Sequence, residues 1–238
     1  MNAITPSPFA PSKDFGPQLR KWALMKITLH IIRHGQTLDN LESRIQGHTD
    51  SPLTRLGIAQ AEAVADRLAS EDFAAIYSSD LGRAVHTAEI VASKHDMPVQ
   101  TTPLLRELNL GEVQGLTGDQ FAERWPKEFR LWKLDSVKHR PPGAESIESA
   151  VERCGRFIDQ VVKDHADGDK LAVVVHGGSL KGLVTAALGL PIECYRKIAV
   201  ANAGLTVLEA GDRPFLRFYN DTCHLDGVEV TMLDADTG

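Results

Sequence analysis

The segment Leu171-Ala172-Val173-Val174-Val175 is an unbroken apolar run that ends abruptly in His176-Gly177-Gly178. Successive residues of a strand point to opposite faces, so a strand that is apolar throughout must be covered on both sides. That requirement calls for helices above and below a largely parallel sheet. The rest of the chain agrees. Ile27–Ile32 reads as a first short strand, Phe73–Ser78 as a second and Pro98–Thr101 as a third, with Leu205–Leu208 and Phe215–Tyr219 closing the series. Helical stretches fall between them. Thr54–Ala69 opens on Thr54 as N-cap and sets Leu56, Ala61, Val64, Ala65 and Leu68 on one side. Leu81–His95 has Asp80 as its candidate cap. In Ser146–His165, apolar residues from Ile147 through Cys154 and Phe157 to Val162 recur at helical spacing. A last helix runs to Leu188 with Ser179 as its expected cap. Strand and helix alternate, which defines an α/β fold. The stretch from Glu107 to Pro142 has weak periodicity and is expected to hold short helices and loops.

Residues 25–225 are expected to form one domain. Met1–Leu24, with four prolines and no apolar signal-peptide core, reads as a poorly ordered extension, and Met25 as a candidate start. Residues 226–238 read as a tail. The formal net charge of -6 gives no sign of the basic excess typical of nucleic-acid binding. No apolar run approaches the ~20 residues that span a bilayer. The three cysteines are widely spaced, without a C-x-x-C pair, which argues against a disulfide framework or a zinc site. A reducing cytoplasm is the expected compartment. Nothing in the sequence sets an oligomeric state.

In α/β sheets, ligands bind beyond the carboxyl ends of the strands. Arg33-His34 follows the first strand there, and His176 follows the Leu171–Val175 strand. Arg83 falls in the first turn of the helix after the second strand. Sheet geometry therefore predicts that these residues share one edge. A neutral imidazole is a competent nucleophile towards phosphorus, and an arginine fork matches phosphate oxygens. A second histidine can donate to a phosphoryl oxygen in the transition state. Glu107 can protonate a leaving oxygen and then activate water. Each residue alone has an ordinary structural explanation; it is the set that carries the argument.

The set is wider than these residues. Arg33-His34-Gly35-Gln36-Thr37 with Asn40, Arg44-Ile45-Gln46-Gly47, and Ser51-Pro52-Leu53-Thr54 come first. Tyr77-Ser78-Ser79-Asp80-Leu81-Gly82-Arg83-Ala84 and Leu105-Arg106-Glu107 follow. Pro142-Gly143-Ala144-Glu145-Ser146, Val175-His176-Gly177-Gly178 and Asn220-Asp221-Thr222 complete the order. This ordered series resembles the histidine phosphatase superfamily, also called the phosphoglycerate mutase-like family, over roughly residues 26–225. The resemblance implies a three-layer α/β/α sandwich with a small helical cap drawn largely from residues 108–142. It implies His34 as the phosphorylated nucleophile and Glu107 as general acid and base. Arg33, Arg83 and His176 would complete the phosphate pocket, and Asn40, Gln46 and the Gly177 backbone would add hydrogen bonds. No metal or cofactor is implied. One departure stands out: many relatives carry an aromatic-Glu-Gly where this chain has Val113-Gln114-Gly115, which bears on local packing or substrate fit near the acid rather than on the reaction.

Other patterns are set aside. Asp234-Ala235-Asp236-Thr237 imitates a motif of Mg²⁺-dependent phosphatases but lacks a strand before it and a domain after it. His30 and His34 lack an evident third metal ligand, and no phosphate-binding P-loop motif is present. Trp125 and Trp132 with Arg124, Lys127, Arg130 and Lys133 imitate a nucleic-acid patch, but a substrate cap or plain packing accounts for them better. The expected activity is hydrolysis of a small phosphorylated metabolite through a phosphohistidine. A phosphoglycerate mutase is the alternative, disfavoured by the short interval from Glu107 to His176. A non-catalytic phosphate-binding module is a third reading. The site sets the reaction and the cap sets the alcohol.

Overall fold

The computed structural model describes residues 25–228 and 232–233. Sequence readings that fall on Met1–Leu24 and on Asp234–Gly238 lie outside the described residues. Strand β1 (Lys26–Arg33) leads through a short helix α1 (Leu38–Leu41) into α2 (Arg55–Leu68), then β2 (Ala75–Ser79), α3 (Gly82–Ala92) and β3 (Val99–Thr102). Two short helices, α4 (Gly118–Arg124) and α5 (Pro126–Leu134), precede the long α6 (Ile147–Asp164). Then come β4 (Lys170–Val175), α7 (Gly177–Leu188), β5 (Val200–Ala201), β6 (Leu205–Gly211), β7 (Phe215–Asp221) and β8 (Met232–Leu233).

The main sheet has six strands in the order β3-β2-β4-β1-β6-β7. β3, β2, β4 and β1 run parallel, while β6 is antiparallel to both β1 and β7. The covering of both faces follows the two-residue period of the strands. Ile27, Leu29, Ile31, Leu171, Val173 and Val175 join α6 and α7 in one core cluster. Ile32, Ala172 and Val174 point the other way and join α2 and α3 in a second. Phe157 of α6 is buried in the first cluster and meets Tyr77 edge-on with ring centroids 5.5 Å apart. Full burial of one such side chain contributes about 1.5–3 kcal/mol.

The helix starts show where local signals were read well and where they were not. Thr54 caps α2, its Oγ1 accepting from the Gly57 N–H at 2.9 Å, and Ser146 caps α6 by accepting from Ser149. Asp80 does not cap α3. Its carboxylate takes both Nε and Nη2 of Arg106 at 2.7 Å, because a bidentate charged pair outcompetes one N–H. Asp50, from a different loop, accepts from the Gly82 and Arg83 N–H groups instead. α3 also stops at Ala92, short of His95. Ser179 is not ahead of α7 but inside its first turn; its Oγ reaches back to accept from the His176 N–H at 3.0 Å.

The weakly periodic stretch folds as α4, α5 and turns around a third apolar cluster. Phe121 and Trp132 centre it, but Ile147 and Ala150 of α6 and Tyr195 also belong to it. The layer over the site therefore draws on residues well beyond 108–142. Within the stretch read as a tail, β8 pairs antiparallel with β5.

Candidate active site

β1 and β4 are neighbours, and Arg33 stands opposite Val175 in their register. Beyond that pair the two chains part. β1 leads toward the face covered by α2, and β4 turns directly into α7 on the opposite face. This divergence opens a crevice at the strand ends, the usual ligand position in such sheets. His34 and His176 are the next residues on each strand, so they meet there: their ring centroids are 5.1 Å apart. The His34 N–H donates to the Val175 carbonyl at 2.9 Å, which ties the two ends together.

The His34 ring is 2% exposed, and its Nδ1 lies 2.8 Å from the Gly35 carbonyl oxygen. A carbonyl only accepts, so Nδ1 carries the proton and Nε2 keeps its lone pair. Burial, with the facing Arg83 and Arg33 guanidiniums, holds the His34 pKa well below 6.5. The ring therefore stays neutral and nucleophilic at neutral pH. His176 is fully buried, both ring nitrogens lack a protein partner, and burial with Arg83 lowers its pKa well below 6.5.

Arg33 and Arg83 are each 2% exposed. Arg33 Nη1 donates to the Val200 carbonyl at 2.8 Å. Burial pushes the Arg33 pKa down to about 10, against the pull of Glu107, so it remains charged. Arg83 Nη1 donates to the Thr49 carbonyl at 2.9 Å and Nη2 to the Gly47 carbonyl at 2.7 Å. Among the described residues, the Nε of each arginine is buried without a hydrogen-bond partner. Glu107 is held by the N-terminus of α7: one carboxylate oxygen accepts from the Gly178 N–H at 3.0 Å, the other from the Leu108 N–H at 2.8 Å.

All eight residues nominated from the sequence, Arg33, His34, Asn40, Gln46, Arg83, Glu107, His176 and Gly177, reach this strand-end crevice. Seven of them line one cavity of about 60 Å³, and His176 lies behind it against His34. Asn40 Oδ1 accepts from Thr37 and Asn202, which leaves its Nδ2 as the end able to donate to a ligand. Gln46 has a buried, unpartnered amide oxygen.

Among the other lining residues, three with polar side chains had no assigned role: Arg44, Lys181 and Tyr195. Arg44 and Lys181 sit in motifs that were noticed, at Arg44-Ile45-Gln46-Gly47 and five residues past His176. Tyr195 had no local signal, because it arrives from a turn of 3₁₀ helix after α7. The supporting layer was also unseen. Gln114 Oε1 accepts from the His48 N–H at 2.6 Å and the Leu110 N–H at 3.3 Å. His48 Nε2 in turn donates to the Glu107 carbonyl at 2.8 Å. The residue that departs from the family pattern thus braces the loop carrying Gln46 against the segment carrying Glu107, using an oxygen that a glutamate would also supply. His30 lies apart, edge-on to Phe73 at 5.2 Å. Trp132 is buried against Phe121, and Arg124 covers Trp125 at 4.6 Å.

Residues 29–222 match the sequence profile of the histidine phosphatase superfamily, branch 1. The chain belongs to the histidine phosphatase superfamily. This histidine phosphatase is 35% identical over 209 residues to a probable phosphoglycerate mutase GpmB of Yersinia pestis, a match covering 84% of this chain and 95% of that protein. Among solved structures it resembles a mycobacterial glucosyl-3-phosphoglycerate phosphatase, with a TM-score of 0.76 and 32% identity over 83% of this chain and all of the other. It also resembles Bacillus stearothermophilus YhfR, with a TM-score of 0.79 and 31% identity over 84% and 99%. The fold is shared throughout, whereas the named substrates differ. Among the described residues, no helix of this histidine phosphatase is long and apolar enough to cross a membrane.

Proposed function

We propose that this histidine phosphatase hydrolyses a small phosphorylated metabolite through a phosphohistidine on His34. The observation that carries the reading is a cluster of buried donors without protein partners around one nucleophile. Among the described residues, Arg33 Nε, Arg83 Nε and the single N–H of the neutral His176 ring have no partner, and all three stand beside a neutral His34. Buried polar groups are normally satisfied, so such a cluster argues for a bound anion during function. His34 Nε2 forms the N–P bond as the ester P–O bond breaks, and Glu107 gives its proton to the departing alkoxide. Glu107 then takes a proton from water, whose oxygen displaces His34 from phosphorus. The charge that stabilises both displacements comes from Arg33 and Arg83, so the cycle as written uses no metal. The acidic balance of the chain supports a small-molecule substrate rather than a nucleic acid, and its widely spaced cysteines without a C-x-x-C pair support a reducing cytoplasm as the compartment.

The test is rapid-quench labelling with a ³²P-phosphate ester. Wild type should give an acid-labile, alkali-stable protein label that decays with phosphate release, and His34→Ala should give neither. Wild-type turnover by purified His34→Ala would overturn the assignment. A mutase reading is favoured by the GpmB relative. It predicts that 2,3-bisphosphoglycerate primes conversion of 3-phosphoglycerate to 2-phosphoglycerate faster than phosphate appears, and a coupled assay measures that ratio.

A further inference from the structure

Lys181 projects from α7, one turn beyond the glycines that follow His176. It is 2% exposed and lines the same cavity as His34 and Glu107. Among the described residues it has no hydrogen-bond or ion-pair partner. Its one specific contact is with the face of Tyr195, where Nζ lies 5.5 Å from the ring centroid. A buried ammonium is costly unless paired, and a cation–π contact offsets only part of that. Glu107 is the strongest carboxylate influence on it but is already engaged by two backbone N–H groups.

Tyr195 supplies a second unsatisfied group at the same place. Its hydroxyl is buried and has no hydrogen-bond partner among the described residues. Burial, with Glu107 adding to it, pushes the phenol well above 10, so the hydroxyl keeps its proton and can donate. Gly178 fixes where the hydroxyl stands. A Cβ placed on Gly178 would lie 2.2 Å from Glu107 Oε1 and 2.8 Å from Tyr195 Oη. Glu107 Oε1 and the hydroxyl therefore lie close together beside Gly178, in the cavity that Lys181 also lines.

We infer that Lys181 and Tyr195 form a second-anion subsite, which selects phosphate monoesters whose alcohol carries another anionic group close to the ester oxygen. The phosphoryl group is served by Arg33, Arg83 and His176, and the Lys181 ammonium and Tyr195 hydroxyl serve a carboxylate or second phosphate on the alcohol. The inference rests on the hydrolase reading for the orientation of the ligand, but its selectivity can be measured without turnover.

The experiment is calorimetric binding of non-hydrolysable phosphonates to the full chain. The probes are 3-phosphonopropionate, propane-1,3-diylbisphosphonate and neutral-tailed propylphosphonate. A charge-assisted hydrogen bond in a buried site predicts that at least one anion-tailed probe binds about 10- to 100-fold more tightly than propylphosphonate. Which of the two wins tells a carboxylate from a second phosphate. Lys181→Met should bring that ratio to within about twofold, Tyr195→Phe should lower it partway, and Lys181→Arg should retain most of it. Melting curves accompany each variant; methionine replaces an unpaired buried charge with an apolar chain of similar shape, which favours folding. Equal binding of the three probes by wild type, or a preference that survives in Lys181→Met, overturns the subsite. Selective binding without any phosphoenzyme would instead leave the subsite standing and remove the hydrolase reading.

Discussion

Arg83→Lys separates charge from geometry at the phosphate pocket. The guanidinium uses its two Nη atoms on the Thr49 and Gly47 carbonyls and leaves Nε unpaired in the buried site. Lysine keeps the charge but has a single nitrogen. If its ammonium stays with the two carbonyls, it withdraws from the phosphoryl group. If it turns to the phosphoryl group, at least one buried carbonyl loses its partner. Loss of one preorganised donor to a transition state costs about 10²–10³ in rate, or about 2.7–4 kcal/mol. An orphaned buried carbonyl costs about 1–3 kcal/mol of stability, and each kcal/mol lowers the melting temperature by about 2–4 °C in a chain of this size. The expected result is a 10²–10³-fold drop in kcat/KM for p-nitrophenyl phosphate, with a melting temperature only several degrees lower. That ester has a good leaving group, so the measurement reports on the phosphoryl pocket rather than on Glu107. Activity within threefold of wild type would show that positive charge alone suffices and would refute the argument from the planar fork.

Four other outcomes are expected. Burial and the two guanidiniums hold His34 neutral well below pH 6.5, so the rate of phosphoenzyme formation should stay level as pH falls through 6.5, its acid limb lying lower; a stopped-flow pH profile measures this. The same depression has the opposite appearance in stability: unfolded histidines bind protons near pH ~6.5 while His34 and His176 resist them, so the melting temperature should fall as pH drops below that value. Gly35→Ala places a Cβ 2.2 Å from the Gly57 carbonyl oxygen, backbone against side chain with no flexible atom to give way, and should cost about 1–3 kcal/mol in urea denaturation together with displacement of His34. Gln114→Leu removes the acceptor of the His48 and Leu110 N–H groups and should destabilise by about 1–3 kcal/mol, whereas Gln114→Glu keeps an accepting oxygen and should melt close to wild type.

Where a signal is local, it is legible in the chain itself. The apolar run Leu171–Val175 demanded cover on both faces and received it from α6 and α7 on one side and α2 and α3 on the other. The cap at Thr54 is a contact within three residues, so the sequence contains everything needed to predict it. Asp80 and Ser179 were misplaced for the complementary reason. Asp80 had a stronger partner in Arg106, twenty-six positions away, and the start of α7 was decided by the end of β4 rather than by the serine.

That His34, Glu107, Arg33 and Arg83 gather in one crevice was readable because ordered motifs and strand ends place them on one sheet edge, and the pleat leaves little choice of direction. Long-range packing decided the remainder. Only the folded chain could bring Tyr195 over Lys181, seat Asp50 on a helix it does not belong to, and leave Arg83 Nε and the His176 ring buried without hydrogen-bond partners among the described residues. Sequence periodicity reports which face of an element is buried. Which polar atoms go unsatisfied depends on neighbours brought from distant positions, and that is settled only when the elements pack.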